Sequence, residues 1–437
     1  LIKKGAHMSD YLRAKELLEK TYGDHEKLLK DAYRASLVSV DHFQDWIYNK
    51  FGELGMQTEE FRVKGSELKD QPSFLSTYSD PDSIKEGPKN VLGYLNKEAT
   101  DGILLYAHAD KRPETYEYGK TAPDISEKAG RYYGAGIADD VSGLAAMLSA
   151  VKLYQDLGYE PKKKVMIASI LGKQGGVFGT YGLMHRYGPM KAAIYMHPAE
   201  SGAGLNELKI ASNGLIEFNI QVTGKKPDST EVHQTIFSKS AVSTVDKLFY
   251  VYEELQKWAE KQSSKYHHES VHALAGQSFA LTVGKLHCGD GNETFEIPIV
   301  GGMEGTLSFP PNAQLKTVRQ EFEQELDRIT AADPWLSKGN LTYSYGDRVG
   351  ESAESNLESD FVKDSIEVVK AFGKTPEFFY GHSMSDIRYP LLDWNADAAY
   401  GIGPLAGDLG TEGEWVDKEE HILSIAILTE LIKKVAG

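Results

Sequence analysis

Four short apolar runs, at residues 91–95, 103–106, 165–171 and 192–196, are interspersed with stretches at 141–157 and 180–187 whose apolar residues recur at helical spacing. That alternation leaves few folds open. The runs have the length of buried strands, and the stretches between them are long enough to return the chain across a sheet, so the pattern predicts an α/β sheet with crossovers. Such sheets collect functional side chains at the carboxyl ends of their strands. His108, Asp110 and His197 each stand at or just past the end of a run. The first fifty residues add helical spacing at Leu12, Leu17 and Leu18, at Leu28, Leu29 and Ala32, and at Phe43, Trp46 and Ile47.

The texture changes near Ile210. Residues 215–222 alternate through Ile216, Phe218, Ile220 and Val222, as a half-exposed antiparallel strand does. A long amphipathic helix over 241–261, strands over 279–286, 293–299 and 306–309, a helix over 315–329 and a strand over 341–345 follow. Two helices on an antiparallel sheet make a separate unit. The α/β texture then resumes with a helix over 360–372, strands over 377–380 and 398–400, and a final helix over 419–435. The expected organisation is a discontinuous α/β domain, 9–210 with 347–437, interrupted by an inserted domain at 211–346. A chain of 437 residues exceeds one ordinary core, which agrees.

The net charge of -16 disfavours a nucleic-acid or anionic-membrane partner. No apolar run has the length to span a bilayer. With Cys288 the single cysteine, an internal disulfide framework and a thiolate metal cage are both excluded. No signal-peptide pattern opens the chain, and a cytoplasmic protein is the simplest expectation. Residues 1–8, ending Gly-Ala-His-Met, look vector-derived and are set aside together with His7.

Several motifs in fixed order carry a resemblance: Tyr106-Ala-His-Ala-Asp110, Gly134-Ala-Gly-Ile-Ala-Asp139, Gly175-Gly-Val-Phe-Gly179, His197-Pro198, Pro310-Pro311, Ser385-Asp-Ile-Arg388, Gly403-Pro404 and Glu414-Trp-Val416. Together they resemble the M20 metallopeptidase family of aminoacylases, carboxypeptidases and deacetylases. The resemblance implies a zinc-peptidase-like catalytic domain with a central mixed sheet. It also implies an inserted ferredoxin-like α+β lid, through which a homodimer is expected. His108 matches the first metal ligand, Asp139 the bridging ligand, and His197 the third ligand of the first metal. Asp110 matches the acid that orients the first histidine. Two histidines and a carboxylate with one open position suit zinc or manganese.

The other half of that pattern is altered. Lys173 stands where the resemblance calls for the general-base glutamate, Gln174 where it calls for the second metal's glutamate, and Gly410 where it calls for a C-terminal histidine. A second metal left with Asp139 and a neutral amide binds poorly, so one divalent metal is expected. Exchanging two carboxylates for an ammonium and an amide raises the local charge by three, and losing a divalent ion lowers it by two. Lys173 therefore reads as a stand-in cation that anchors a substrate carboxylate or an oxyanion. A base with a burial-lowered pKa is its second reading, and a side chain turned to water its third.

Other candidates are weaker. His233 resembles the lid histidine that stabilises an oxyanion; the bland alternative is an exposed loop residue. His382 and Arg388 are candidates for an anionic substrate, and Ser385 or Asp386 reads as a helix N-cap. Glu412 is a candidate substitute base or ligand. His267, His268 and His272 read as a solvated loop. The expected activity is metal-dependent hydrolysis of an amide or related bond in a small amino-acid derivative. A lyase, cyclising enzyme or transferase, and a catalytically silent binding protein, are the alternatives on the same scaffold.

Overall fold

The computed structural model describes residues 2–68, 85–111, 124–172, 178–199, 201–228, 231, 240–289 and 296–437. Its centre is an eight-stranded mixed sheet. In spatial order the strands are Gln57–Phe61, Asn90–Leu95, Lys164–Ile170, Gly102–His108, Ala192–Met196, Ala398–Ile402, Glu207–Lys209 and Glu377–Phe379. The four strands from Lys164–Ile170 to Ala398–Ile402 run parallel. Asn90–Leu95 is antiparallel to its neighbour, and so is the edge strand beyond it.

Strand Gly102–His108 is buried along its whole length because both faces of the sheet are covered. Its side chains alternate between two cores. Ile103, Leu105 and Ala107 face a core shared with helices Ser142–Asp156 and Lys418–Ala436. Leu104 and Tyr106 face another, shared with Tyr181, Leu183 and Tyr389. Gly102 sits at the tightest strand crossing, where an added Cβ would lie 1.8 Å from the Lys164 carbonyl oxygen. Backbone cannot step aside as a side chain can. Gly102→Ala is therefore expected to lower stability by roughly 1–3 kcal/mol in urea unfolding. Gly52→Ala, in helix Val40–Glu53 with open space around it, is expected to be neutral or to gain about 0.5–1 kcal/mol.

A second, antiparallel sheet takes the order Ala280–Cys288, Val300–Phe309, Gly214–Thr223, Leu341–Gly350. Gly214–Thr223 alternates buried and partly exposed residues, as its sequence predicts. Ile216, Phe218 and Ile220 pack with Leu248, Leu255 and Trp258 of helix Thr244–Lys265 and with Phe322 and Leu326 of helix Leu315–Ala332. Of the expected strand at 293–299, residues 293–295 lie outside the described residues and 296–299 are not strand; the strand begins at Val300.

Sequence periodicity does not reveal a small four-stranded sheet of Ala406–Gly407, Trp415–Asp417, Arg131–Tyr133 and Ser126–Lys128. This sheet brings Glu414, at the start of one strand, beside the turn that follows another. No helix among the described residues is long and apolar enough to cross a membrane.

Candidate active site

His108 ends its strand with no solvent exposure. Its Nδ1 lies 2.9 Å from the Asp110 carbonyl oxygen and 3.6 Å from that residue's Oδ1. A carbonyl only accepts, so Nδ1 carries the hydrogen. Nε2 then faces Asp139 Oδ1 at 2.8 Å. A lone pair facing a carboxylate at that distance requires a cation between them, either a second proton or a metal. Burial pushes the His108 pKa down, but Asp139 and Asp110 outweigh it and hold the value well above the ordinary histidine range.

Asp139 lies on the turn Ile137–Val141, entered through Gly136 in the left-handed region at φ 71°. The turn is held from outside. Glu414 Oε1 accepts the N–H groups of Ala138 at 2.7 Å and Asp139 at 2.9 Å, and its Oε2 accepts the Gly410 N–H at 3.0 Å. Burial raises the Glu414 pKa, the backbone N–H groups oppose that rise, and Asp139 reinforces it. Lys111 supports the same loop, donating to the Ala135 carbonyl at 2.8 Å and lying 4.9 Å from the centre of the Tyr33 ring. Burial lowers its pKa to about 7 against the attraction of Glu414. Gly410, at the expected position of a missing histidine, adopts a φ of 74°.

His197 follows strand Ala192–Met196. Its ring stands 4.7 Å from the His382 ring, so the structure brings these two candidates together. The buried Lys209 organises this loop. Its ammonium donates to the carbonyls of His197 at 3.0 Å and Pro198 at 2.5 Å, lies 3.2 Å from His197 Nδ1, and pairs with Glu207 at 3.4 Å. Among the described residues no three His, Cys, Asp or Glu side chains form a metal cluster, so His197 is not gathered with His108 and Asp139 into one cage.

Arg388 is fully buried, donating Nη1 to the Ser385 carbonyl at 3.0 Å and Nη2 to the Tyr389 hydroxyl. The N-cap expectation for Ser385 or Asp386 is corrected. Helix Arg388–Asp393 has Ile387 at its N-cap, and Asp386 accepts the Thr180 hydroxyl at 2.7 Å instead. Glu412 is exposed, so the buried acid that serves this loop is Glu414. His268 caps helix Glu269–Ala275 and reaches Glu354 at 3.2 Å rather than lying in a solvated loop. Lys173, Gln174 and His233 lie outside the described residues.

Sequence reasoning missed the roles of Glu414, Lys111 and Lys209. Lys209 carried a visible signal, a lysine paired with Glu207 inside an otherwise apolar segment.

The donor chemistry of this pair suits a divalent ion. The Asp110 carbonyl selects the tautomer whose Nε2 lone pair is free, and Asp139 supplies the opposing charge in a buried setting.

The description peptidase family M20/M25/M40 matches residues 104–434. The N-formyl-4-amino-5-aminomethyl-2-methylpyrimidine deformylase of Bacillus subtilis (strain 168) is 22% identical over 326 residues, 70% of this chain and 67% of that protein. Carboxypeptidase G2 of Pseudomonas sp. (strain RS-16) is 28% identical over 138 residues, 31% of this chain and 32% of that one. Among solved structures, the aminopeptidase PepT of Bacillus cereus ATCC 10987 superposes with a TM-score of 0.67 at 14% identity, covering 94% of this chain and 98% of that one.

Proposed function

Because this chain belongs to peptidase family M20/M25/M40, whose members are metal-dependent hydrolases, we propose that it cleaves an amide or related bond of a small amino-acid derivative using one divalent ion. His108, Asp139 and His197 would hold zinc or manganese, with His197 closing onto the pair. When bound, the ion polarises the scissile carbonyl and lowers the pKa of a water. Support comes above all from the His108–Asp139 pair, where a fixed tautomer and a buried carboxylate leave a place that only a cation fills.

The remaining roles belong to side chains. Asp110 orients His108. Lys173 anchors the substrate carboxylate or the developing oxyanion, and His233 adds a donor to that oxyanion. His382, against His197, is the better placed of two residues to touch substrate, while Arg388 supports the segment that bears it. The relatives favour small substrates: a formamide for the Bacillus subtilis deformylase and a dipeptide for the Saccharomyces cerevisiae di-peptidase Dug1p. The reading extends to a homodimer through the Gly214–Thr223 sheet. Its edge strands leave Leu286 48% and Tyr343 40% exposed.

The test is metal analysis of chelator-free protein, with turnover of N-formyl amino acids, N-acyl amino acids and dipeptides. About one equivalent of metal and measurable hydrolysis are expected. His108→Ala should lose the metal and reduce turnover to background. Two tightly bound equivalents, or hydrolysis that survives His108→Ala, would overturn the one-metal reading.

A further inference from the structure

His382, whose ring stands 4.7 Å from the His197 ring, is carried by neither a helix nor a strand. It lies on the turn between strand Glu377–Phe379 and helix Arg388–Asp393. In this turn Met384 has a φ of 57°, in the left-handed region that a residue with a Cβ seldom occupies. Such a backbone persists only where its surroundings over-determine it. Whatever fixes the turn therefore fixes where His382 stands.

Asn213 fixes it. This residue is the last before strand Gly214–Thr223 of the second sheet and is 7% exposed. Its N–H donates to the His382 carbonyl at 2.8 Å, its carbonyl accepts the Met384 N–H at 3.2 Å, and its Nδ2 donates to the Tyr380 carbonyl at 2.8 Å. Residues 380, 382 and 384 are thus tied along one side of the turn to a single residue, which also pairs with Ser383 as an isolated parallel bridge. The two backbone bonds are open to any residue but proline. The bond to Tyr380 needs a side-chain donor of this reach. Asn213 Oδ1 has no hydrogen-bond partner among the described residues, which costs stability, so the donor accounts for an amide at this position.

The turn is closed on its other sides. The Tyr380 ring lies 5.3 Å from that of His268, Leu274 of helix Glu269–Ala275 stands where a Cβ on Gly381 would point, and the Met384 side chain fills the space a Cβ on Gly350 would need. Lys209, earlier in the stretch that ends at Asn213, holds the carbonyls of His197 and Pro198. One stretch, 209–213, therefore backs both rings of the pair. We propose that Asn213 is a positioning residue for His382, a role that rests on the substrate contact proposed above for that histidine: its amide locks the Tyr380 end of the turn and holds the ring beside His197.

Asn213→Leu removes the donor at nearly the same side-chain size, and with it the oxygen that lacks a partner; Asn213→Ala repeats the test with a smaller side chain. With the best substrate among N-formyl amino acids, N-acyl amino acids and dipeptides, either exchange should raise KM roughly tenfold and change kcat less than about threefold. In a His382→Ala background the same exchange should change KM less than about twofold, because the ring through which it acts is gone. Effects that add in the double variant, or a fall in kcat alone, overturn the proposal. NMR of the full chain with isotope-labelled histidine gives a readout independent of turnover. The His382 ring signal, identified by its loss in His382→Ala, should shift in Asn213→Leu, while those of His25 and His421, buried elsewhere, should stay. An unmoved His382 signal overturns the proposal whether or not the chain hydrolyses these substrates, and so does an equal shift of all three. A selective shift in a chain without turnover upholds the positioning and fails the hydrolase reading instead.

Discussion

Glu414→Ala is expected to lower the stability of the chain by about 3–5 kcal/mol and to abolish tight metal binding. The carboxylate accepts three backbone N–H groups, from Ala138, Asp139 and Gly410, and is itself 1% exposed. Each buried donor left without an acceptor costs about 1–3 kcal/mol, and water entering the space recovers part of the sum. Two of these donors belong to the turn that presents Asp139, so the loss reaches the site directly. Glu414→Gln separates the two effects. Its remaining carbonyl oxygen still serves Ala138 and Asp139, while its amide nitrogen meets the Gly410 N–H as donor against donor. A smaller loss of about 1–3 kcal/mol with metal affinity largely kept is expected. Urea unfolding and metal titration measure both. If Glu414→Ala unfolds within about 1 kcal/mol of the native chain, the carboxylate does not hold the turn. The same geometry bears on restoring the family's histidine at Gly410. With φ at 74°, that position strains any residue carrying a Cβ, so the exchange requires the loop to rearrange.

How far the sequence discloses this arrangement differs from element to element. Strands with a single buried environment are legible, because residues 103–107 and 165–168 form unbroken apolar runs and 214–223 alternates cleanly. Strands without one are not. Gln57–Phe61 reads Gln-Thr-Glu-Glu-Phe at the sheet edge, and Glu207–Lys209 is buried through its internal ion pair despite two charged residues of three. In the site, the family resemblance pairs His108 with Asp139, and the structure sets the two side chains 2.8 Å apart. The clamp by Glu414 was not readable, since it joins groups 275 residues apart and depends on a small sheet whose strands are two or three residues long. The capping expectation at Ser385 and Asp386 failed for a related reason. Local spacing favours a cap there, but Thr180 offers Asp386 a buried donor from 206 residues away.

Acid should destabilise the protein before its carboxylates titrate, through His421. This residue lies in helix Lys418–Ala436 with no exposure, and neither ring nitrogen has a hydrogen-bond partner. Burial, with the nearby His25 as a secondary cause, lowers its pKa from 6.5 to about 3. His25, on helix Tyr22–Val38, is itself lowered by burial and then by Lys152, against smaller opposing effects of Asp24 and Asp156; Thr21 Oγ1 lies 3.1 Å from its Nε2. The folded chain thus holds His421 neutral where the unfolded chain is already protonated. Between about 6.5 and about 3 the unfolded state binds more protons, so stability is full above pH 6.5 and falls as the pH drops through that window. The ceiling is about 5 kcal/mol over the whole window, and about 2 kcal/mol is expected by pH 5. At that pH ordinary carboxylates are still mostly ionised, so the histidines dominate the slope. His421→Leu replaces the ring with an apolar side chain that needs no partner, and should flatten the fall in unfolding free energy between pH 7.5 and 5. An unchanged slope in that variant would show that His421 takes up its proton in the folded chain as readily as in the unfolded one. A retained but shallower slope assigns the remainder to His25, whose protonation loses its repelling neighbour when His421 is removed.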